Sequence, residues 1–367
     1  MTLRVLAVTS HSDLPETHTF IGLHQAGIAI EVISHPEAPH ISKLYKAGVP
    51  VTELNIKGRY DRHAIKLIRD HLLTQQPHIL HVFNNNATSN GLLAAKGINV
   101  RIIAYRGIVG NVSFFSPASW TTYLHPRIHK VICVAEAIRH YFLNMSFLGY
   151  HLPADKFVTL YKGHDLAWYQ IPIADLGEFN LPEDAFVVGS VANMRPRKGI
   201  PVLIDSLRYI PRSANVHLLL VGKMEDPSLQ KHIKASGQAD RIHLAGFRRD
   251  APQMMGACHA SVLPALKREG LPKAVIEAMA YATPCIVTDS GGSPELIEHN
   301  VSGLVVQSGN ARAIAAAIQQ LAANRTLAKK MGLAGQQRIA EHFHINTTIS
   351  KTLVLYQTLV ASDSVLK

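Results

Sequence analysis

Cysteine is scarce. Cys133, Cys258 and Cys285 are the only three in 367 residues. Their number is odd and their spacing suits neither a metal site nor a redox pair, so a reducing cytosol is the expected setting. The 21 histidines include no H-E-x-x-H or comparable cluster. No D-x-D motif follows a strand to hold a cation, so no metal ligand and no obligatory cofactor is expected. Long hydrophobic runs are missing too. No stretch approaches the roughly 18–20 apolar residues of a membrane span, and a typical apolar run is as short as "HLLLVG" at 217–222. The opening "MTLRVLAVTSHSD" reads as a buried strand rather than a charged leader with a cleavage site. Charge is thin at 17%, and acid is its scarcer sign, which leaves a net charge of +11. That excess favours an acidic partner: nucleic acid, an anionic membrane face or a phosphorylated substrate. Nucleic acid is not expected, because the chain has no stacking motif and no Arg-rich tail.

What the chain does have is alternation. Short β-branched runs predict strands at 3–8, 28–34, 79–83, 100–105, 130–135 and 157–161, then at 186–192, 216–222, 241–247, 260–264, 285–289 and 303–306. Helical patterns lie between them, as at 61–74, 87–97, 227–237, 273–282 and 311–322. Strands this short and apolar, separated by helices, predict parallel sheets covered on both faces. The expected fold is α/β, with two Rossmann-like, doubly wound domains facing a cleft, at 1–168 and 169–344. The polar stretch 165–184 reads as the linker. Ligands of open α/β sheets bind at the carboxyl ends of the strands, so the functional loops should follow strands.

One such loop is "REGLPKAVIEAMA" at 268–280. Pro272 suits a first helical position, and the amides of Lys273, Ala274 and Val275 would lead the helix toward an anion. Lys273 adds charge at the same spot, and Gly270 permits close approach of the backbone. Glu269, upstream of that anion site, suits hydroxyl groups better than phosphate, and so does Glu277 further in. A diphosphate between two polyols, as in a nucleotide-sugar, satisfies all of these. A plain helix with an N-terminal acid and a solvated glutamate fits the bare pattern equally well.

The wider context is more specific. "EGLPKAVIE" resembles the E-x7-E motif of glycosyltransferase family 4, the retaining enzymes of GT-B fold. The run "EAMAYATPCIVTDSGGSPELIEHNVSGLVV" continues the family pattern, "VANMRPRKGIPVLIDSL" at 191–207 resembles its strand–loop–helix with a basic pair, and "YKGHD" at 161–165 resembles its N-G-V-D turn. The resemblance is strong from about 157 to 345. It implies that Glu269, Gly270 and Leu271 meet the transferred sugar and that Glu277 meets the ribose. Lys198, Leu271, Lys273, Ala274 and Val275 would bind the diphosphate. The family's arginine falls on Asn193, so Arg195 is the expected replacement, unless Arg195 and Arg197 are merely solvated loop charges. The resemblance also implies that a C-terminal helix, about 345–361, crosses back onto the first domain.

The first domain departs more. Its first loop, "TSHSDLPETH", lacks the family's glycine pair, and Arg106 stands where a histidine is usual. Arg106 cannot act as a base. A retaining front-face transfer needs none, because the leaving phosphate accepts the acceptor's proton; Arg106 would steady that phosphate or orient the acceptor. Asn84 and Asn85 offer amides to an acceptor, although helix capping explains them more simply. Basic residues crowd 43–69; Arg62, Lys66 and Arg69 share a helical face that is either solvated or docked on anionic membrane. The resulting expectation is a metal-independent, retaining glycosyltransferase. It would use a UDP-, GDP- or ADP-linked sugar and a glycan or lipid-linked acceptor, in the cytoplasm or peripheral to the inner membrane face. The alternative is a nucleotide-sugar-binding protein without transfer.

Overall fold

The structure, a computed structural model, describes residues 2–224 and 226–361. Its contacts divide the chain into two units. Residues up to Gly163 together with the stretch from His344 form the first, and His164–Phe343 forms the second.

The first unit is built on seven parallel strands. These are β1 (Arg4–Val8), β2 (Ala29–Ser34), β3 (Val51–Glu53), β4 (Ile79–Val82), β5 (Arg101–Arg106), β6 (Lys130–Cys133) and, after a small antiparallel hairpin of β7 (Ser146–Phe147) and β8 (Tyr150–His151), β9 (Phe157–Thr159). Their order is β3-β2-β1-β4-β5-β6-β9. The central strands are buried almost throughout, as a sheet with helices on both faces requires. The edge strand β3 escapes the sequence reading because it has three residues, none buried, and no usable periodicity.

The helix Ile345–Ala361 belongs to this unit. Tyr356 and Leu359 enter the same core as Val5, Phe20 and Leu23. The Tyr356 hydroxyl lies 2.6 Å from Nδ1 of His81 on β4. His81 is 2% exposed, and burial alone lowers its pKa to about 3. A histidine depressed below its unfolded value stabilises the fold above about pH 6.5, where it is neutral in both states. That contribution is lost as pH falls toward 3. Urea unfolding of the wild type and of His81→Phe at pH 7 and pH 5 should therefore show the wild type weakening more steeply with acid.

In the basic segment, Arg69 donates to the carbonyls of Ala94 (2.8 Å) and Lys96 (2.7 Å), and Lys66 pairs with Asp70 at 3.3 Å. Two of the three cations assigned to one helical face thus serve local structure. No helix among the described residues is long and apolar enough to cross a membrane.

The second unit carries six parallel strands, β10 (Phe186–Val191), β11 (Val216–Val221), β12 (Ile242–Gly246), β13 (Ala260–Leu263), β14 (Cys285–Thr288) and β15 (Gly303–Val306). They run in the order β12-β11-β10-β13-β14-β15. All six residues of "VHLLLV" in β11 are buried. Ahead of this sheet, the segment 165–184 holds only the short 3-10 turns Leu166–Tyr169 and Gly177–Phe179.

Candidate functional site

The strand order of the second unit reverses between β10 and β13, the place where open α/β sheets leave a crevice beyond their carboxyl ends. The loops after these two strands, with the helix Lys273–Ala280 that follows the second, carry the donor-side residues the sequence singles out. After β10, Pro196–Lys198 forms a 3-10 turn that ends on Gly199, with φ +69°. A Cβ on Gly199 would lie 1.9 Å from the Pro264 carbonyl oxygen, so a glycine is needed for this loop to lie against the one after β13. Arg197 and Lys198 then point to the same carboxylate.

That carboxylate is Glu269, only 5% exposed. Arg197 Nη1 is 3.1 Å from its Oε1, and Lys198 Nζ is 2.9 Å from Oε1 and 3.1 Å from Oε2. The residue before it, Arg268, is held at φ +65°, a conformation that costs a non-glycine residue about 1–3 kcal/mol. Gly291, at φ +58°, packs where a Cβ would sit 2.1 Å from the Glu269 carbonyl oxygen. Glu269 is therefore clamped from below by backbone and neutralised from above by two cations.

The helix Lys273–Ala280 starts one residue later than the proline rule suggests. Pro272 has an extended ψ of 111° and caps the helix from outside it. Its carbonyl accepts from the amides of Val275 (3.1 Å) and Ile276 (3.3 Å). Val275 is thus corrected: its side chain is buried and its amide is engaged, leaving Lys273 and Ala274 to lead the helix end. Lys273 Nζ lies 2.9 Å from Glu277 Oε1 across one turn. Gly270 is buried beside Glu269, and Leu271 is half-buried.

Asn193, Arg195, Arg197, Lys198, Lys273, Ala274 and Glu277 line one pocket of about 350 Å³ with Gly222, Phe247 and Arg248. Arg195 is exposed on its rim. Arg197 was open to dismissal as a loop charge; the "RPRK" run marks it only once Pro196 is known to shape a turn. Phe247 and Arg248 were missed, although they follow β12 directly and the strand-end rule covers them. Arg248 is locked to Asp250 (2.9 Å) and Glu178 (2.6 Å); the hydrogen bonds it donates to these carboxylates push its pKa further up.

In the first unit, Asn84 caps the helix Asn85–Ala94: its Oδ1 accepts from the Ala87 amide at 2.9 Å, and its Nδ2 donates to Ser10 Oγ at 2.9 Å. Asn85 opens that helix and is half-buried. Arg106, at the end of β5, is 4% exposed. It donates to the carbonyls of Ile108 (3.0 Å) and Gly110, and its guanidinium lies 4.7 Å from the Tyr123 ring centre. It fastens the loop that follows β5. The loop after β1 is fastened by charge: Lys162 Nζ meets Asp13 Oδ2 at 2.7 Å and Glu16 Oε1 at 2.8 Å. Burial opposes the Lys162 charge, but Glu16, Tyr105 and Asp13 outweigh it and hold the ammonium well above the ordinary lysine range.

The sequence of the second unit and the fold of the chain have counterparts among known proteins. Residues 174–338 match the family of glycosyl transferases group 1. The chain is 28% identical over 175 residues to the lipopolysaccharide core biosynthesis glycosyltransferase LpsE of Rhizobium meliloti, covering 47% of this chain and 50% of that one. It spans about half the length of the curated relatives it matches. Among solved structures, a glycosyltransferase from Rickettsia africae superposes with a TM-score of 0.79 at 20% identity, covering 98% of this chain and 99% of that one. Anabaena Alr3699/HepE in complex with UDP gives 0.78 at 19%, covering 98% and 100%; the same protein is also solved with UDP-glucose. The fold is GT-B, with two parallel-sheet α/β domains.

Proposed function

We propose that the protein is a retaining glycosyltransferase that moves a sugar from a nucleotide-sugar to a glycan or lipid-linked acceptor during surface polysaccharide or lipopolysaccharide synthesis. The observation that carries the reading is Glu269 sandwiched between Arg197 and Lys198 at the strand-order reversal. A donor diphosphate entering this pocket competes for those two cations. Phosphate oxygens take bidentate contacts from guanidinium, with Arg195, Lys198, Lys273 and the amides of Lys273 and Ala274 completing the cradle. Glu269, released from its ion pairs, then accepts from hydroxyls of the transferred sugar. Glu277 accepts from the ribose in the same exchange with Lys273.

Leaving-group charge is neutralised by these side chains, so no metal ion is assigned a role. The bound phosphate takes the acceptor's proton. Arg106 acts on the acceptor side through the loop it holds. UDP- and UDP-glucose-bound forms of the Anabaena protein support a nucleotide-sugar as co-substrate, and the LpsE relative, a lipopolysaccharide core biosynthesis glycosyltransferase, supports a surface-glycan setting.

Thermal shift against UDP-, GDP- and ADP-sugars tests the donor half. A ligand at a hundred times its Kd stabilises by about 2.7 kcal/mol, and Lys198→Ala should remove most of that shift. Release of nucleoside diphosphate on adding acceptor supports transfer. Tight binding with no release under any acceptor would make the chain a nucleotide-sugar-binding protein. No shift with any nucleotide-sugar defeats both readings.

A further inference from the structure

The pocket of the second unit reaches past its cluster of cations. Those cations gather where β10 and β13 meet, whereas Phe247 follows β12, two strands along the sheet from β10. At about 4.8 Å per strand the separation is about 10 Å, enough for a ribose to lie between a diphosphate and its base. Among the described residues Phe247 is the one aromatic side chain in the pocket lining, and it is 63% exposed. A single exposed phenylalanine on open surface needs no explanation, but this one lines a built cavity. Gly222, just after β11, lies so close to the end of β10 that a Cβ would sit 2.0 Å from the Ala192 carbonyl oxygen. Its N–H donates to the Gly246 carbonyl at 2.8 Å. The ends of β10, β11 and β12 are thereby laced together, and Phe247, next in the chain, is fixed to the same frame as the loop that carries Lys198.

Arg248 gives the position its chemistry. Its Nε and Nη2 donate to the two carboxylate oxygens of Asp250, each at 2.9 Å, and its Nη1 donates to Glu178 at 2.6 Å. Glu178 comes from the turn Gly177–Phe179 ahead of the sheet, so two separate stretches of chain grip the guanidinium. A guanidinium has five N–H groups and no acceptor. These bonds take three of them, and the other two can only donate. Nucleobases differ at the edge remote from the ribose: O4 of uracil and O6 of guanine accept, whereas N4 of cytosine and N6 of adenine donate. A guanidinium held in place rewards the first pair and sets donor against donor with the second.

We infer that Phe247 is the platform on which the donor's base stacks, and that Arg248 selects a base with a carbonyl at its far edge, uracil or guanine. Glu178 and Asp250 are positioning residues that hold the guanidinium. The inference rests on the donor reading of this pocket and adds the class of base to it. Calorimetric titration with UDP, GDP, ADP and CDP tests it, with inorganic diphosphate as a competitor. UDP or GDP should bind at least about tenfold more tightly than ADP and CDP, and whichever of the two binds better names the base. Phe247→Ala should weaken that nucleotide by about tenfold or more, and Phe247→Trp should retain it. Competition by inorganic diphosphate should be the same in both variants. Arg248→Gln should level the four nucleotides, because an amide both donates and accepts, and Glu178→Gln should narrow the gap between them without altering circular dichroism. Three results would overturn the inference and leave the donor reading standing: tighter binding of ADP or CDP, nucleotide affinity indifferent to Phe247→Ala, or an equal loss of inorganic diphosphate. Failure of all four nucleotides to bind overturns both.

Discussion

Glu269→Gln is expected to lower nucleoside diphosphate release by about 10²–10³-fold, the loss typical of removing one preorganised electrostatic contact. It should lower stability less than Lys162→Met does, because the amide still accepts a hydrogen bond from Arg197 or Lys198. The substitution preserves shape and volume but changes two things. An amide cannot neutralise Arg197 and Lys198, which now hold the carboxylate at 3.1 and 2.9 Å. It also presents an NH₂ donor where a sugar hydroxyl needs an acceptor. The kinetic parameters separate these effects. Loss confined to KM means that Glu269 acts on donor binding alone; a parallel fall in kcat and kcat/KM means that it acts in the transition state. Donor affinity itself should fall less than turnover, because the two cations freed of Glu269 remain available to phosphate. Turnover within about threefold of wild type would remove Glu269 from the mechanism.

The largest expected effect on stability lies in the first unit. Lys162→Met should destabilise it by about 3 kcal/mol, because removing one partner of a buried ionic cluster leaves the others uncompensated. Glu16 is the carboxylate most affected. Burial already raises its pKa, with Lys162 pulling the other way, so loss of the ammonium raises it further. A carboxylate whose folded pKa lies above its unfolded value favours the fold below the unfolded pKa and loses that contribution as pH rises through the folded one. The Lys162→Met penalty should therefore be larger at pH 8 than at pH 5. Adding Glu16→Gln should recover part of it, a coupling that a double-mutant cycle measures. A penalty independent of pH and unaltered by Glu16→Gln would show that only packing was lost.

The periodicity of the sequence carries most of the fold, because parallel strands buried on both faces leave uninterrupted apolar runs. What it does not carry is short or polar: β3 with three residues, and the β7–β8 hairpin with two per strand. The site divides along similar lines. Glu269, Lys198 and Glu277 stand out because their spacing around a strand–turn–helix is unusual, and the structure brings all three close to the strand reversal. Arg197 was obscure because its direction depends on a turn, and Gly291 because its partner is twenty-two residues away in sequence and meets it only through backbone. In the first unit, chemistry read from residue type alone had less to work with. Asn84 is a helix cap, and Arg106 is consumed by its own loop.

The passage of helix Ile345–Ala361 into the core of the first unit has a consequence for biosynthesis. Domains ordinarily fold in order as the chain leaves the ribosome, at about 5–20 residues per second. Here the unit translated first lacks Tyr356 and Leu359 until the last of the described residues emerges. His164–Phe343 is uninterrupted and has all its strands in hand before that. The nascent first unit must wait with the His81 face of its sheet uncovered, and during that interval it depends on chaperones more than its translational head start suggests.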